Sequence, residues 1–328
     1  MRRRIVILTQ KEIGDLVVVT PLIRALRKNY PDHELVVASR PVAREVYAGN
    51  PAVSAFSDIA LTEVKRGFFL SRLWAFFRYA VKIRRLRANI ILQLEANDVL
   101  ALWCFFSGAH LRIGVQKQTF RGVFTGYNPL SEGEQSALLF YLGFLAPLGI
   151  KSDGENTELF AGKIRQDKAD GILIHPGARL RERLWPVESW LEFVRMFHRK
   201  YPKVTVKIIR SPFDAEVSEA LFKSLSGKKH IHWLSVADFA GLCDAMRSAK
   251  LAITMDSAPR HVAAACGVPT VSLMADWILK DWGIYDEHRH RVVCSHTPRP
   301  DYGIFTIEPA SVLAAVNKIW PQVGRAKK

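Results

Sequence analysis

The sequence predicts an α/β protein with two parallel-sheet domains in tandem. Short apolar runs of strand length alternate with longer helical patterns in both halves, and a polar stretch at residues 151–171 separates the two series. Strands that alternate with helices favour a parallel sheet covered on both faces. The length of 328 residues also exceeds that of one typical domain. We therefore expect domains at residues 1–155 and 156–328, whose strand ends face a common cleft.

Each series is predicted from apolar periodicity and from the residues that end helices. The predicted elements of the first half are a strand (5–10), a helix (14–29) that ends before Pro31, a strand (34–39), a helix (66–88) and a strand (89–93). Those of the second half are strands at 171–175, 204–210, 251–255 and 270–274, and helices at 186–200, 214–225, 237–248, from 262 onward and at 309–320.

The formal net charge of +16 suggests an anionic partner, and its distribution narrows the choice. Residues 61–125 contain 11 Lys or Arg against 3 acidic residues. This excess accompanies the aromatic helix at 66–88 rather than a nucleic-acid-binding module, so nucleic acid is disfavoured. A basic amphipathic helix with Trp and Phe is typical of contact with an anionic membrane surface. The alternative is a core-packed helix with a solvated basic face, and the two can coexist.

The remaining bulk features indicate a cytoplasmic protein without a membrane span. No apolar run reaches the roughly 18 residues that a span needs, and the basic start is not followed by a signal-peptide core. The four cysteines are widely separated, which fits reduced thiols better than disulfides or a zinc site. We expect no metal site and no cofactor.

The loop after the first strand holds the first candidate for chemistry. Asp15 lies at the start of the following helix, at the carboxyl edge of the predicted sheet. Asp is a favoured helix N-cap, and capping is the more common role of such a residue. A carboxylate at this edge can also accept a proton from an attacking hydroxyl.

Two loops of the second half have the features of an anion site. One loop follows the strand at 171–175 and is rich in Arg, whose guanidinium binds phosphate well. The other follows the strand at 251–255 and leads into a helix, and the free backbone amides at a helix N-terminus favour anions. Solvated surface arginines, and an Asp or Ser cap beside a core histidine, are the plain alternatives. The candidate donor-binding residues are His175, Gly177, Ala178, Arg179, Arg183, Asp256, Ser257, Ala258 and His261.

Several short motifs, in order along nearly the whole chain, resemble one known family. They are Ile13-Gly14-Asp15, Thr20-Pro21, Gly49-Asn50-Pro51, Arg112-Ile113-Gly114, His175-Pro176-Gly177-Ala178, Trp185-Pro186, Asp256-Ser257 with His261, and Gly267-Val268-Pro269-Thr270. With these motifs the chain resembles the lipopolysaccharide heptosyltransferases of glycosyltransferase family 9, which have the GT-B fold.

The resemblance implies an inverting, metal-independent transfer of heptose from ADP-heptose to the inner core of lipopolysaccharide. Asp15 matches the family's proposed catalytic base, and Arg183 falls where the family usually has a Lys that contacts the donor diphosphate. The lipid-linked acceptor implies an enzyme on the cytoplasmic face of the inner membrane, which residues 66–88 would contact. Candidates for binding acidic groups of the acceptor are Arg40, Arg112, Lys117 and Arg121.

The sequence departs from the family pattern in two donor loops. Ala258 stands where the family has Gly, and Met274-Ala275-Asp276-Trp277 replaces a Phe-Gly-Pro-Thr stretch. Three alternatives therefore stay open: a family member that uses another nucleotide sugar, one that glycosylates protein, and a catalytically degenerate nucleotide-sugar binding protein.

Overall fold

The protein folds into two compact α/β units, Met1–Phe160 and Ala161–Lys328. The computed structural model describes residues 3–65, 68–133, 135–163, 169–210, 215–282 and 286–323. Each described unit is built on a six-stranded sheet in which all paired strands run parallel. The predicted α/β class with two parallel sheets is confirmed.

The first sheet has the strand order β3-β2-β1-β4-β5-β6. Its strands are β1 (Arg4–Leu8), β2 (Glu34–Ser39), β3 (Ala55–Asp58), β4 (Ile90–Gln93), β5 (Leu111–Gly114) and β6 (Gly126–Tyr127). The helices of this unit are α1 (Ile13–Val18), α2 (Thr20–Asn29), α3 (Val42–Val46), α4 (Leu61–Lys65), α5 (Phe69–Arg85), α6 (Asp98–Phe106) and α7 (Ala137–Leu142).

The second sheet has the corresponding order β12-β11-β10-β7-β8-β9. Its strands are β7 (Ile172–His175), β8 (Val206–Arg210), β9 (Ile231–Ser235), β10 (Leu251–Met255), β11 (Thr270–Ala275) and β12 (His290–Ser295). The helices are α8 (Val187–Lys200), α9 (Ala215–Leu225), α10 (Phe239–Arg247), α11 (Ala258–Ala265), α12 (Leu279–Trp282) and α13 (Pro309–Val323).

Both strand orders reverse direction at the centre of the sheet, and this reversal positions the candidate sites. In the first unit β1 lies between β2 and β4, and in the second β7 lies between β8 and β10. The connections leave such a pair of strands toward opposite sides, so a crevice opens at their carboxyl ends. The loops after β1 and β4, and those after β7 and β10, therefore line the two crevices.

The central strands are mostly apolar because helices cover both sheet faces. β7 and β10 are buried at every position. In the second unit, Trp185 and Trp190 lie edge to face with ring centroids 4.8 Å apart, within the core that β7 and β10 help to form. The loops that follow these strands thus start from rigid, buried positions.

The helix predicted at 14–29 is interrupted, because α1 ends at Val18 and α2 begins at Thr20. Pro21 has no N–H group, so it cannot donate to the carbonyl of Val17 one turn earlier. The Thr20 hydroxyl donates to that carbonyl instead, at 2.7 Å. The break thus follows from a proline in the second helical position.

Candidate active site

Asp15 is the third residue of α1, in the first turn of the helix. The N-cap position belongs to Glu12, whose side chain makes no capping hydrogen bond. The interpretation of Asp15 as an N-cap is therefore wrong. Its carboxylate is directed instead to a tyrosine far along the chain: the hydroxyl of Tyr141, on α7, donates to Asp15 Oδ1 at 2.7 Å.

Burial sets the protonation behaviour of the Asp15 carboxyl. The side chain is 17% exposed, and desolvation raises its pKa above the ordinary value for Asp. The ammonium of Lys11, 3.9 Å from Oδ1, and the hydrogen bond from Tyr141 both act in the opposite direction. A carboxylate with a raised pKa and two fixed partners is suited to take up a proton.

The crevice between β1 and β4 holds two further carboxylates near Lys11. Glu132 Oε1 lies 2.6 Å from Lys11 Nζ, and Glu95 Oε1 accepts a hydrogen bond from the backbone of Gln10 at 2.6 Å. Burial opposes the charge of Lys11, but Asp15, Glu132 and Glu95 together raise its pKa. Glu95 follows β4 and has a pKa raised by burial, which makes it a second possible base that the motifs did not single out.

The loop after β7 leaves the sheet with buried residues and ends at a partly buried cation. His175 is almost fully buried, which lowers its pKa to about 4, so its imidazole is neutral. The side chain of Ala178 belongs to the hydrophobic core, whereas Arg179 lies on the exposed rim. Arg183 stands at the end of a short 3₁₀ turn, Arg181–Arg183.

Arg183 is held from two sides. Its Nη1 forms an ion pair with Asp256 Oδ2 at 3.0 Å and donates to the Asp256 carbonyl at 3.2 Å. Its Nη2 donates to the Tyr302 hydroxyl at 2.8 Å. These contacts fix the plane of the guanidinium and join the loop after β7 to the loop after β10. Tyr302 was not found by sequence reasoning, because it belongs to none of the motifs.

Asp256 is the buried ion-pair partner of Arg183. Its side chain is buried, and its pKa is raised by desolvation although Arg183 and Arg260 both lower it. Arg260 Nη1 lies 4.0 Å from Asp256 Oδ1 and donates to the carbonyl of Trp282 at 2.7 Å. Asp256 is therefore placed to orient a cation, a role that the motif alone did not reveal.

The start of α11 provides backbone donors beside this ion pair. Ser257 occupies the N-cap position without a side-chain capping bond, and its hydroxyl lies 3.4 Å from the Gly177 carbonyl. Ala258 is the first helical residue, where an amide has no partner within the helix. Ser257 thus links the loop after β10, which leads to the Ala258 amide, to the loop after β7, which leads to Arg183.

His261 lies in the first turns of α11 and is buried against Trp282, with ring centroids 5.3 Å apart. Burial, aided by the charge of Arg260, lowers its pKa well below the ordinary value. The side chain is therefore neutral. It is better suited to a hydrogen bond with a hydroxyl group than to an ion pair with a phosphate.

The predicted acceptor-binding cations of the first unit differ in their surroundings. Arg40 pairs with Glu12 at 3.1 Å, close to the Asp15 crevice. Arg112 donates to the carbonyls of Val123 and Ala109, both at 2.6 Å, and so holds its own segment together. Lys117 and Arg121 are exposed, and the guanidinium of Arg121 lies 5.4 Å from the ring centroid of Tyr127.

Two features are absent from the part of the chain that the structure describes. Within it, three or more His, Cys, Asp or Glu side chains nowhere converge in a way that could hold a metal ion. No helix in that part has the length and apolar character required to cross a membrane.

Known proteins are similar to this chain in sequence and in structure. The profile of glycosyltransferase family 9 (heptosyltransferase) matches residues 151–307. The chain is 23% identical to lipopolysaccharide heptosyltransferase 3 of Escherichia coli, over 94% of this chain and 96% of that protein. A family 9 glycosyl transferase from Veillonella parvula DSM 2008 superposes with a TM-score of 0.82 at 19% identity, over 98% and 99% of the two chains. E. coli heptosyltransferase WaaC, solved with ADP-2-deoxy-2-fluoro heptose, gives 0.76 at 14% identity, over 96% and 99%.

The two parallel sheets and these relatives define the protein as a glycosyltransferase with the GT-B fold. The resemblance drawn from the motifs is confirmed, since the family 9 profile matches the second half of the chain and a relative along nearly its whole length is a lipopolysaccharide heptosyltransferase.

Proposed function

We propose that the protein transfers a heptose, or a closely related sugar, from an ADP-sugar to the inner core of lipopolysaccharide, with inversion and without a metal ion. One observation carries this proposal: three of the motifs shared with the family, those of Asp15, His175 and Asp256, lie at the carboxyl ends of the central strands β1, β7 and β10. In the first unit they supply a partly buried carboxylate, and in the second a fixed cation beside a helix N-terminus.

The donor diphosphate is bound by the second unit. Arg183 supplies a positive charge whose orientation Asp256 maintains, and the amide of Ala258 adds a backbone donor at the start of α11. His175 and His261 are neutral, so they suit uncharged hydroxyl groups of the ribose or the sugar. Negative charge that develops on the leaving diphosphate is stabilised by these fixed groups, which supports transfer without a metal.

The acceptor hydroxyl is deprotonated by Asp15. The acceptor oxygen forms a bond to the anomeric carbon while the bond from that carbon to the diphosphate oxygen breaks. Asp15 receives the hydroxyl proton, and ADP leaves with the electron pair. Attack from the face opposite ADP inverts the anomeric configuration. The raised pKa of Asp15 supports this role because it brings the base closer to the pH at which the enzyme works.

Acidic groups of the acceptor are recognised by basic residues of the first unit. Arg40 is the best placed of the four candidates, since it donates to the carbonyl of Lys11 at 2.8 Å and so belongs to the Asp15 loop. Lys117 and Arg121 offer exposed positive charges. Arg112 has a second, structural role, because it donates to the carbonyl of Val123, two residues after Arg121.

Contact with the anionic inner membrane, on its cytoplasmic face, is made by residues 66–88, of which 66 and 67 lie outside the described residues. Helix α5 buries one face, which includes Ala75, Tyr79, Ala80 and Ile83, on the core of the unit. Its other apolar face is turned outward, with Phe69 74% and Trp74 63% exposed. The remaining exposed apolar residues of this outer face are Leu70, Leu73, Phe77 and Val81.

Positive charge lies beside the outer face of α5. An open groove of about 720 Å³ has three cations and one carboxylate in its lining, which comprises Trp74, Phe77, Tyr79, Val81, Arg78, Lys82, Arg85 and Asp58. Exposed aromatic side chains flanked by cations match the chemistry of an anionic lipid surface. Phe105 and Phe106 at the end of α6 extend the apolar area, since Phe106 packs against Phe76 of α5.

Replacing Trp74 and Phe77 together by Glu is expected to weaken binding to vesicles that contain phosphatidylglycerol by about tenfold or more, because two inserted aromatic side chains are lost. Co-sedimentation at low ionic strength measures this. Phe305→Glu is the matched control, since Phe305 is 66% exposed in the second unit. Wild-type protein that stays in the supernatant with such vesicles would contradict the membrane proposal.

The reaction itself is tested by incubating the purified protein with ADP-heptose and a core lipopolysaccharide that lacks heptose. Mass spectrometry of the acceptor is expected to show the addition of one heptose. Addition from another nucleotide sugar, or to a protein, would identify the enzyme as a different member of the family. Binding of ADP-heptose without transfer to any acceptor would identify a catalytically degenerate binding protein and would refute the proposal.

A further inference from the structure

Tyr302 contacts Arg183 in two ways at once. Arg183 Nη2 donates to the Tyr302 hydroxyl at 2.8 Å, and the guanidinium carbon lies 4.7 Å from the centroid of the tyrosine ring. A guanidinium only donates, so the phenol oxygen must act as the acceptor. The tyrosine consequently keeps its own O–H proton for a different acceptor.

The position of Tyr302 is fixed by its neighbours. The Ser295 hydroxyl donates to the Tyr302 carbonyl, and the Trp277 indole donates to the Asp301 carbonyl at 3.0 Å. The ring of Trp277 packs on that of Tyr302 with centroids 5.1 Å apart. Gly303 follows in a left-handed conformation, with φ at 52°, and its amide donates to Asp301 Oδ1 at 2.9 Å. A side chain held in this way is pre-organised, which is what an anion-binding donor requires.

We propose that Tyr302 is a further ligand of the donor diphosphate and donates its hydroxyl proton to a phosphate oxygen held by Arg183. In the described part of the chain, Arg183 is the hydrogen-bonding partner of this hydroxyl, and it leaves the phenol proton available. A phosphate oxygen is a strong acceptor. A phosphate group bound by Arg183 would lie beside the Tyr302 hydroxyl, which contacts the same guanidinium. This inference rests on the proposed function in one respect, namely that Arg183 contacts the diphosphate.

The consequence for the reaction follows from charge. During transfer, negative charge grows on the diphosphate oxygens, so a donor aimed at them binds the transition state more strongly than the ground state. Loss of the Tyr302 hydroxyl should therefore lower kcat as well as raise the KM for the nucleotide sugar. A tyrosine that acts only by orienting Arg183 would leave both parameters unchanged when its hydroxyl is removed from an Arg183→Ala protein, whereas a direct ligand of the diphosphate would still change them.

Tyr302→Phe tests the proposal, because it removes the hydroxyl and keeps the ring that packs on Arg183 and Trp277. Calorimetry is expected to show ADP bound about tenfold more weakly by this variant, as for the loss of one hydrogen bond to a charged group, and adenosine bound as by the wild type. Tyr201→Phe is the matched control in the same unit, since it removes a tyrosine hydroxyl that donates to Asn317 at 2.8 Å. Its affinity for ADP should equal that of the wild type.

The outcomes separate this inference from the proposed function. Wild-type affinity for ADP in Tyr302→Phe, together with reduced affinity in Arg183→Ala, overturns the role of Tyr302 and leaves the proposed function standing. If the wild type binds inorganic pyrophosphate more tightly than Tyr302→Phe does, but does not bind ADP, the role of Tyr302 stands and the proposal of an ADP-sugar donor is refuted. Failure of the wild type to bind either probe overturns both.

Discussion

Asp15→Asn is expected to lower kcat for sugar transfer by about 10²–10⁴-fold, the usual contribution of a general base. The amide has nearly the same shape as the carboxylate and its oxygen still accepts the hydrogen bond from Tyr141, but it cannot take up a proton. Affinity for ADP should not change, since Asp15 belongs to the first unit and the proposed donor-binding residues belong to the second. Initial rates with saturating substrates and calorimetry with ADP measure the two effects separately.

Glu95→Gln is the matched control for this prediction. Glu95 lies in the same crevice and also has a pKa raised by burial, and its replacement keeps an acceptor for the Gln10 amide. We expect the rate to fall far less than in Asp15→Asn. The reverse result, with Asp15→Asn active and Glu95→Gln inactive, would transfer the role of base to Glu95.

The pH dependence gives an independent check on the same base. As the proposed base, Asp15 is active in its ionised form, so the rate is expected to fall as the pH drops through its pKa, which burial places above the ordinary Asp value. The hydrogen bond from Tyr141 stabilises the ionised form. Tyr141→Phe removes that bond, raises the pKa of Asp15 further, and should move the acidic limb of the kcat/KM profile to higher pH. An acidic limb that does not move would separate Asp15 from the titration.

Arg183→Ala is expected to weaken ADP binding by about tenfold to a hundredfold, because a charged contact to the diphosphate is lost. The free energy of unfolding should also fall, by up to about 3 kcal/mol, since a buried carboxylate loses its closer partner. Asp256 would then face only Arg260, whose Nη1 is 4.0 Å away, among the cations that contact it in the described chain. Calorimetry and denaturant titration measure the two effects.

Arg181→Ala provides the comparison for Arg183. Arg181 stands two residues earlier and pairs with Glu216 at the surface, where both side chains are largely exposed. Such exposed pairs contribute little, so both affinity and stability should stay near the wild-type values. Equal loss of ADP affinity in the two variants would indicate a general effect of loop charge and would refute a specific role for Arg183.

The architecture was predictable from the sequence because its signals are local. Apolar runs at β1, β2, β4, β7 and β10 alternate with helices, and that alternation predicts parallel sheets. Strands β3, β5, β6, β9 and β12 were missed. β6 has two residues and β3 and β5 four, too few for a periodic pattern, and β9 and β12 contain polar residues that interrupt an apolar run. The break between α1 and α2 was also missed, although Pro21 is visible in the sequence, because the helical periodicity continues across it.

Helix α5 illustrates a different limit. Its apolar half was predicted as one face, but the structure divides it into an inner face on the core and an outer face exposed to solvent. Apolar periodicity alone cannot distinguish a side chain that packs on a core from one that is exposed. Only the position of the neighbouring helices shows which of the two applies to each residue.

The sequence by itself determined the class of fold, the resemblance to a glycosyltransferase family and the loops in which the candidate residues lie, since these depend on periodicity and on short motifs. Only the tertiary structure decided which partner each polar group has. Tyr141 reaches Asp15 across 126 positions, and Tyr302 reaches Arg183 across 119. Hydrogen bonds form between groups that the sheets bring within about 3 Å, whatever their separation along the chain, so no local pattern records them.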